Sequence, residues 1–583
     1  MTLNNVKISG PKINLDFYSG EDLYSDGDVE SEILDIVKSN SDLSEILKND
    51  SRWPVLCHLS PYRRNLLEWF TPDNGGRLLE IGAGCGALTG LFCEKFQEVV
   101  AVELSRRRAD IIARRNSKNS NLEIVVGNLN DISFDKKFNY ITLIGVLEYA
   151  AKYTETDSPY LDFLAKIKTF LKPEGTLIIA IENKFGLKYW AGAKEDHNGR
   201  YFESIENYPN DSSVRTFGKY ELNELLNQAG FKNINFYYPM PDYKLPTQVF
   251  SDDFLPDIGQ LPEMSPNYDS ERMLLFNESA AFDNIMLNKQ FDFFANSFLL
   301  FCNNTGKSPS TVYSKYNRER LPKFQIETTI YKDEECQKAK KKPLTSEARG
   351  HISCLYKNYS LLKDYYGVMK VAKACYENDS IIFDYVNGKS LDKVLFSYLI
   401  NRKYNDFYGL LDRFVECVRT SDRSDYQLES EGCSTEILDG YRGVDSETPA
   451  RIINIDINLD NVYIDEKNEF VLIDYEWVFS LKVPVNVMIF RSLEYFFGKY
   501  QNHLRGIVDL KDLSDRYRIN DAEILIYRGL EKRIQDYVMG KEWKYCISKK
   551  YKKESIALQK KRYRLKDIVK KPKLLMEKSI TPP

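Results

Sequence analysis

A glycine-rich turn that directly follows an apolar run constrains the fold of this chain more than any other feature. The stretch "GGRLLEIGAGCGALTG" (75–90) contains Gly82, Gly84 and Gly86 in a G-x-G-x-G pattern. A dinucleotide-binding turn would have its third glycine one position later, where Ala87 stands. Taken alone, the pattern also fits a plain strand-to-helix turn, so the segments around it decide its meaning.

These segments alternate between strand and helix patterns. Apolar runs typical of strands occur in "EVVAVEL", "LEIVVGN", "FNYITLIGVLEYA" and "GTLIIAIEN". Between them lie helical patterns such as "SRRRADIIARRNSK" and "YLDFLAKIKTFLKP". Strands that alternate with helices predict an α/β fold with a parallel, doubly wound sheet, whose ligand binds at the carboxyl ends of the strands.

Acidic and polar residues follow the predicted strands. Glu80 precedes the glycines, and Glu103 ends the next strand. Glycines let the backbone approach an adenosyl ligand closely, and a carboxylate such as Glu103 can accept both ribose hydroxyls. Glu80 could hold an ammonium group of the ligand. The segment "GNLND" (127–131) would supply polar groups near an adenine, and "GVLEYA" (145–150) would lie next to the transferred group.

This combination resembles the class I S-adenosylmethionine-dependent methyltransferases. The resemblance implies a Rossmann-like domain with S-adenosylmethionine as its cofactor, over residues 55–262, after an N-terminal extension over 1–54. Tyr62 and Arg63 lie in "CHLSPYRRNLLEWF" (57–70), a segment that folds over the methionine moiety in similar enzymes; a plain capping helix is the alternative. The implied cofactor-binding residues are Tyr62, Arg63, Glu80, Gly82, Ala83, Gly84, Gly86, Glu103, Asn128 and Leu129.

An insert rich in aromatic and charged residues, "ENKFGLKYWAGAKEDHNGRYFESIENY" (182–208), follows the last of these strands. Connections in such folds are usually about 2–6 residues long. The length and composition of the insert favour a loop that faces the substrate over a passive linker. It resembles segments of methyltransferases from bacterial surface-polysaccharide clusters.

A second region with characteristic spacing is "IINIDINLDNVYIDEKNEFVLIDYEW" (452–477). Asp456 and Asn461 have the D-x-x-x-x-N spacing of a kinase catalytic loop, where the Asp accepts the proton of the substrate hydroxyl and the Asn holds magnesium. Asp474 ends the next apolar run, where a carboxylate would bind the metal that bridges the phosphates. We predict these three residues as catalytic, with Asn461 and Asp474 as magnesium ligands. Asn454 stands where kinases usually have a His.

The segments before this region complete a kinase-like order. Lys340–Lys342 precede Glu347, which we predict to open a helix; in kinases a strand Lys holds the ATP phosphates and pairs with a helix Glu. Lys341 and Glu347 would fit these roles, although any of the three lysines could point inward. The stretch "DSIIFDYVNGKSLDKVL" (379–395) reads as a strand, a turn at Gly388 and a helix, like a nucleotide hinge.

The second region resembles small-molecule kinases of the choline and aminoglycoside type, in which Asp-x-Glu replaces Asp-Phe-Gly. The resemblance implies an α+β, two-lobed, kinase-like domain that binds ATP and Mg²⁺, and we place it at residues 263–500. A surface hairpin with incidental carboxylates and a pseudokinase that only binds nucleotide are the alternatives.

Length and composition limit the number of domains and the classes of protein to which the chain can belong. The 583 residues are too many for one core. Ten scattered cysteines without a C-x-x-C pair, and only four histidines, argue against structural zinc and a disulfide framework. Without a signal peptide or an apolar run of about 20 residues, the chain is expected to be cytoplasmic.

Residues 541–583 carry 15 Lys and Arg against 4 Asp and Glu. We predict a basic helical tail over 501–583. Its charge favours contact with an anionic partner, either a membrane surface or nucleic acid, and a solvated helix end is the alternative.

The domain order resembles the bifunctional kinase–methyltransferases that terminate bacterial polymannose O-antigen chains. It implies that ATP phosphorylates a terminal hydroxyl of a lipid-linked surface glycan (lipopolysaccharide or capsule) and that S-adenosylmethionine then methylates the phosphate, capping the chain. The implied partners are the glycan and a membrane-associated glycosyltransferase at the inner face of the membrane, without nucleic acid. Alternatives are a sugar O-methyltransferase with an inactive kinase-like domain, and a scaffold that recruits partners through its tail.

Overall fold

A computed structural model describes residues 10–540, apart from 23–26, 40–41, 51, 74, 155, 262–274, 334–335, 364, 367, 421–448, 451 and 480–482. The described residues form two compact units, one over 10–257 and 275–315 and the other over 258–261 and 316–540. Within this described part of the chain, no helix combines the length and the apolar character that crossing a bilayer requires.

The first unit is built on a ten-stranded sheet. Its strands are β1 (Lys12–Phe17), β2 (Arg77–Ile81), β3 (Glu98–Glu103), β4 (Leu122–Gly127), β5 (Phe138–Ile144), β6 (Leu171–Glu182), β7 (Asn233–Met240), β8 (Gln248–Ser251), β9 (Ser297–Asn303) and β10 (Thr311–Tyr316). Their order in the sheet is β1-β4-β3-β2-β5-β6-β9-β7-β8-β10. The pairings from β1 to β6 are parallel, whereas β9 is antiparallel to both β6 and β7.

Helices flank this sheet. They are α1 (Val29–Lys38), α2 (Leu43–Asn49), α3 (Trp53–Leu59), α4 (Thr89–Lys95), α5 (Arg106–Arg115), α6 (Ala150–Tyr153), α7 (Pro159–Phe170), α8 (Leu187–Trp190), α9 (Lys219–Gln228), α10 (Glu278–Leu287) and α11 (Phe291–Phe294). Short 3-10 helices cover Pro61–Leu66, Leu129–Asp131 and Leu147–Tyr149. The central strands are almost entirely apolar and buried, as expected for a parallel sheet covered on both faces.

The prediction of a doubly wound α/β sheet in the N-terminal region is confirmed, but the unit extends beyond the predicted boundaries. Residues 10–54, predicted as an extension, add β1 to the edge of the sheet beside β4. Residues 297–303, predicted to lie in the second domain, form β9 in the middle of the sheet. The physical reason is that all seven residues of β9 are buried between β6 and β7.

The second unit begins with a four-stranded antiparallel sheet. Its strands are β11 (Ile326–Asp333), β12 (Cys336–Pro343), β14 (Ala374–Glu377) and β15 (Ser380–Asp384), in the order β11-β12-β15-β14; β13 (Lys370–Val371) lies between them in the chain. Helix α12 (Arg349–Leu362) packs on β12, β14 and β15. The 3-10 helix Pro322–Phe324 contacts the same helix.

The remainder of this unit is mainly helical. Its helices are α13 (Leu391–Ile400), α14 (Tyr404–Thr420), α15 (Asn486–Leu504), α16 (Leu510–Arg516) and α17 (Asp521–Met539). Small strands complete it: β16 (Lys389–Ser390), β17 (Pro449–Ala450), β18 (Ile453–Asn454), β19 (Val462–Ile464), β20 (Phe470–Leu472), β21 (Val478–Phe479) and β22 (Val483–Pro484). Strands β13, β20, β19 and β16 form one sheet, and β18 pairs with β21.

The predicted boundary at residue 500 also differs from the structure. Residues 501–540, predicted as the start of a basic tail, form the end of α15 and helices α16 and α17. Their apolar faces, including Leu513, Tyr527, Leu530 and Ile534, are buried in the core of the second unit. Helix α17 begins at a capping box of Asn520 and Glu523 and ends at Gly540, whose φ is +85°. The predicted tail residues 541–583 lie outside the described residues.

Candidate functional site

A cleft opens at the carboxyl ends of β2, β3, β4 and β5 in the first unit. The residues that line it come mainly from the loops after these strands, and the helices α5, α6 and α7 contribute the others. They are Ile81, Gly82, Val102, Glu103, Leu104, Arg108, Gly127, Asn128, Leu129, Asn130, Gly145, Val146, Tyr149, Ala150, Tyr153 and Phe163. The cleft therefore lies where a doubly wound sheet binds its ligand.

The glycine turn lies against this cleft, and its conformation requires glycine. Gly82 has a φ of +68°, and a Cβ added there would lie 2.6 Å from Cγ2 of Val146. Gly84 and Gly86 also have positive φ, at +58° and +72°. A Cβ on Gly86 would press on Ile112 of α5 at 3.2 Å. Larger residues in this turn would strain the backbone and narrow the approach to the cleft.

Glu103 fixes the turn from the next strand. Its Oε2 accepts the N–H of Gly84 at 2.7 Å, and its Oε1 accepts the N–H of Ser105 at 3.1 Å. Burial raises the pKa of Glu103, against the opposing effects of Arg108 and the backbone donors. The carboxylate is thus held rigidly at the cleft with further acceptor capacity on both oxygens.

Glu80 is a buried residue of β2, next to the lining residues Ile81 and Gly82. Its Oε2 accepts the hydroxyl of Thr89 at 2.6 Å, and burial raises the pKa of Glu80 to about 8. Of the other predicted cofactor residues, Asn128 and Leu129 line the cleft, whereas Ala83 lies in the turn. Tyr62 and Arg63 lie in the 3-10 helix Pro61–Leu66, where Tyr62 is buried.

Three lining residues were not predicted from the sequence: Arg108, Tyr153 and Phe163. Tyr153 and Phe163 give the cleft an apolar wall together with Tyr149, which belongs to the predicted segment 145–150, and Arg108 lies beside Glu103. Arg108 is the third residue of an Arg-Arg-Arg run, which reads as the solvated face of a helix. Its Nε instead donates to the buried Glu30 at 2.7 Å, so the N-terminal residues help to shape this wall.

The insert at 182–208 forms a buried, densely charged cluster with the loop after β5. His197 lies between three carboxylates: its Nδ1 is 2.8 Å from Glu195, and its Nε2 is 3.7 Å from Glu148 and 4.0 Å from Glu182. Lys188 contacts Asp196 and Asp242, each at 2.8 Å, and Lys244 contacts Glu182 and Asp196. The insert is therefore anchored by ion pairs. None of these residues was predicted as a site residue.

In the second unit, one lysine joins the carboxylates of the predicted phosphotransfer site. Lys341 of β12 donates to both oxygens of Asp474, at 2.7 and 2.8 Å, and to Glu476 at 3.0 Å. Although burial disfavours its charge, Asp474 and Glu476 raise the pKa of Lys341 above its usual value. Among Lys340, Lys341 and Lys342, it is therefore Lys341 that points toward Asp474.

Asp456 lies in the same group of charges. Its Oδ2 accepts the backbone N–H of Trp477 at 2.6 Å, and it is 9% exposed. Burial, together with Asp474 and Glu476, raises the pKa of Asp456 to about 7. A carboxylate with such a pKa lies in the range that suits general base catalysis near neutral pH.

The loop around Asp456 is held by amide side chains. The fully buried Asn454, which replaces the usual His, accepts the N–H of Asp456 on Oδ1 at 3.0 Å. Asn461 donates from Nδ2 to the carbonyl of Asp456 at 2.9 Å. The carbonyl of Asn461 accepts the N–H of Ile473 at 2.9 Å, so the hairpin brings Asn461 beside Asp474. Asn454 thus supports the loop.

The predicted pair between Lys341 and Glu347 is wrong. Helix α12 begins at Arg349, and Glu347 lies before it, exposed, with its carboxylate bonded to the adjacent Ser346. The helix instead contributes His351, whose Nε2 is 2.9 Å from Glu476, and Arg320 contacts the same carboxylate. Glu476, the Glu of the Asp-x-Glu end, takes the place that the sequence suggested for Glu347.

Comparisons with known proteins find similarity to methyltransferases in the first unit. A family model described as a methyltransferase domain matches residues 58–235. An uncharacterized methyltransferase from Staphylococcus carnosus (strain TM300) is 30% identical over 148 residues, which are 23% of this chain and 65% of that protein. The cypemycin N-terminal methyltransferase of Streptomyces sp is 28% identical over 128 residues, 21% of this chain and 50% of that protein.

This chain therefore spans less than two thirds of the length of either curated relative. Among solved structures, phosphoethanolamine N-methyltransferase 1 of Haemonchus contortus, in complex with phosphoethanolamine and S-adenosylhomocysteine, aligns with 49% of this chain and 51% of its own. The sequence identity is 12% and the TM-score 0.27. The family match covers residues 58–235, so this segment of the chain is similar to a methyltransferase domain.

Proposed function

We propose that this chain is a bifunctional enzyme. Its second unit phosphorylates a terminal sugar hydroxyl of a surface polysaccharide with ATP, and its first unit methylates that phosphate, which caps the chain. ATP supplies the phosphoryl group and S-adenosylmethionine the methyl group.

The cleft of the first unit supports the methyl-transfer half. The glycine turn lets the cofactor approach the backbone, and a Cβ at Gly82 would clash with Val146, which lines the cleft. Glu103 is held by Gly84 and Ser105 with acceptor capacity left for two ribose hydroxyls. Asn128 and Leu129 would flank the adenine.

One observation carries the phosphotransfer half: Lys341 holds both oxygens of Asp474, close to the buried Asp456. In this proposal Asp456 takes the proton of the sugar hydroxyl. Asn461 and Asp474 would hold Mg²⁺, and Lys341 would hold the phosphates. A lysine, two Asp and an Asn in these positions are the groups that phosphoryl transfer requires.

The order of the two reactions follows from acceptor chemistry. A phosphate oxygen is already anionic, so its methylation needs positioning rather than a general base. A sugar hydroxyl benefits from a base, which Asp456 supplies. The glycan as acceptor, and the membrane-associated glycosyltransferase as partner, rest on the resemblance in domain order.

Transfer of label from γ-labelled ATP to short mannose-type acceptors tests the phosphotransfer half. With Mg²⁺ present, we expect label in the acceptor without added S-adenosylmethionine. Label that does not exceed the acceptor-free control would contradict the proposal.

One observation favours a second candidate, a sugar O-methyltransferase whose second unit is inactive. Lys341 is already neutralised by Asp474 and Glu476, so nucleotide phosphates would have to displace these contacts. This candidate expects full methyl transfer to a sugar hydroxyl without ATP, whereas the bifunctional enzyme requires ATP first.

The affinity for S-adenosylmethionine should rise with pH. If Glu80 pairs with the ammonium group of the cofactor, binding requires its carboxylate, but a pKa of about 8 leaves Glu80 mostly protonated at lower pH. We expect affinity to increase about tenfold from about pH 6.5 to about pH 8, with release of a proton on binding. Calorimetry in buffers of different ionisation enthalpy measures both. Glu80→Gln should abolish the rise; a rise that persists in this variant would exclude Glu80 as its source.

A further inference from the structure

We propose that Glu148, Glu182 and His197 form a binding site for a divalent transition-metal ion in the first unit. Each residue offers one ligand atom, and these three atoms lie within 4.8 Å of one another. Glu148 follows β5, Glu182 ends β6, and His197 comes from the insert. Three separate segments of the chain therefore converge on one point at the carboxyl ends of the strands.

Two buried carboxylate oxygens in this cluster receive no hydrogen bond from any residue in the described part of the chain. Glu148 is 1% exposed and Glu182 is fully buried. Among the described residues, none donates a hydrogen bond to Oε2 of Glu148 or to Oε2 of Glu182. Oε2 of Glu182 instead faces Nε2 of His197 at 4.0 Å. Burying a carboxylate oxygen destabilises the folded state unless a cation or a hydrogen-bond donor contacts it. A metal ion between Glu148 and Glu182 would contact both carboxylates.

His197 is oriented as a ligand. Its Nδ1 is bonded to Glu195 at 2.8 Å, and Glu195 is fixed in turn by the backbone N–H groups of His197 and Asn198. This leaves Nε2 directed at Glu148 and Glu182. A ligating histidine usually donates its other ring N–H to a carboxylate, which fixes the ring and its tautomer.

The charge of the cluster also favours a cation. Glu148, Glu182, Glu195, Asp196 and Asp242 bring five carboxylates, against the ammonium groups of Lys188 and Lys244. One imidazole with two carboxylates suits ions such as Mn²⁺, Fe²⁺ or Zn²⁺. A bound divalent ion would offset most of this excess negative charge.

The cluster adjoins the cofactor cleft. The ring of Tyr149 meets the ring of His197 edge to face, with centroids 5.3 Å apart, and Tyr149 lines the cleft. A cation here would hold an oxygen anion of the methyl acceptor beside the cofactor. This role, unlike the site itself, rests on the proposed function, because it assumes a phosphorylated acceptor.

Metal content of the full-length chain tests the site. The protein is dialysed against Mn²⁺ without nucleotide, in an Asp474→Ala background that removes a predicted magnesium ligand of the second unit. We expect one Mn²⁺ per chain by elemental analysis, and at least a tenfold weaker affinity in Glu148→Gln and Glu182→Gln, because carboxylates are the preferred ligands of Mn²⁺. Glu206→Gln, an exposed carboxylate of the same insert, should keep the full content.

The test does not depend on activity. Thermal unfolding identifies variants that fail to fold. His197→Asn keeps a polar side chain, and we expect it to lose Mn²⁺ binding as the two Glu→Gln variants do. Unchanged Mn²⁺ content in folded Glu182→Gln and His197→Asn would overturn the metal site. If the variants lose Mn²⁺ and the parent transfers no phosphoryl group, the metal site is supported and the proposed function is rejected.

Discussion

Replacing Asp456 with Asn should lower ATP-dependent phosphoryl transfer by about 10²- to 10⁴-fold, the range that a general base contributes. The substitution keeps the size of the side chain and an acceptor for the N–H of Trp477, which now bonds Asp456 at 2.6 Å. It removes the carboxylate that would take the proton of the sugar hydroxyl. The initial rate of label transfer from ATP measures the effect.

A matched variant separates chemistry from folding. Glu466→Gln changes an exposed carboxylate at the tip of the β19–β20 hairpin and should leave the rate unchanged. Affinity for S-adenosylmethionine should be the same in the parent and in both variants. If Asp456→Asn phosphorylates the acceptor as fast as the parent does, Asp456 is not the base.

The second large effect is expected at Glu103. Glu103→Ala should weaken S-adenosylmethionine binding by about 10²- to 10⁴-fold, because it removes two hydrogen bonds to a charged group, each contributing about 1.5–3 kcal/mol. The loss should be at the upper end of this range, since the N–H of Gly84 also loses its acceptor. Calorimetric titration of the full-length chain with the cofactor measures it.

The control for this variant lies at the other end of the same strand. Glu98→Ala removes a half-exposed carboxylate that pairs with Arg77, far along β3 from the cleft. It should bind the cofactor as the parent does. Equal affinities of Glu103→Ala and the parent would show that Glu103 does not contact the cofactor.

The sequence predicts strands β2 to β6 of the first unit well, because each of them contains an apolar run next to a helical segment. Strand β1 was not predicted, because it is short and only partly buried at the edge of the sheet. Glu103 and the glycines follow from the same local pattern. The strand Ser297–Asn303 does not, since its partners β6 and β7 are set by tertiary packing and lie far away in the chain. Its run of buried residues reads equally well as the start of another domain.

In the second unit the spacing of Asp456, Asn461 and Asp474 is a local property of one hairpin, and the structure brings them together as expected. The lysine that contacts Asp474, in contrast, cannot be identified from the local sequence. Three adjacent lysines give the same sequence signal, and only the register of β12 with β15 directs Lys341 inward. The role of Glu476 was missed because its partners Arg320 and His351 lie more than a hundred residues earlier in the chain.

In the proposed function, one chain phosphorylates a glycan end and then methylates that phosphate. Mass spectrometry of a short mannose-type acceptor tests it most directly, with ATP and S-adenosylmethionine supplied separately and then together. We expect the mass of one phosphate with ATP alone, no change with S-adenosylmethionine alone, and phosphate plus methyl with both. A methyl group on the acceptor in the absence of ATP, or no phosphate with both present, would contradict it.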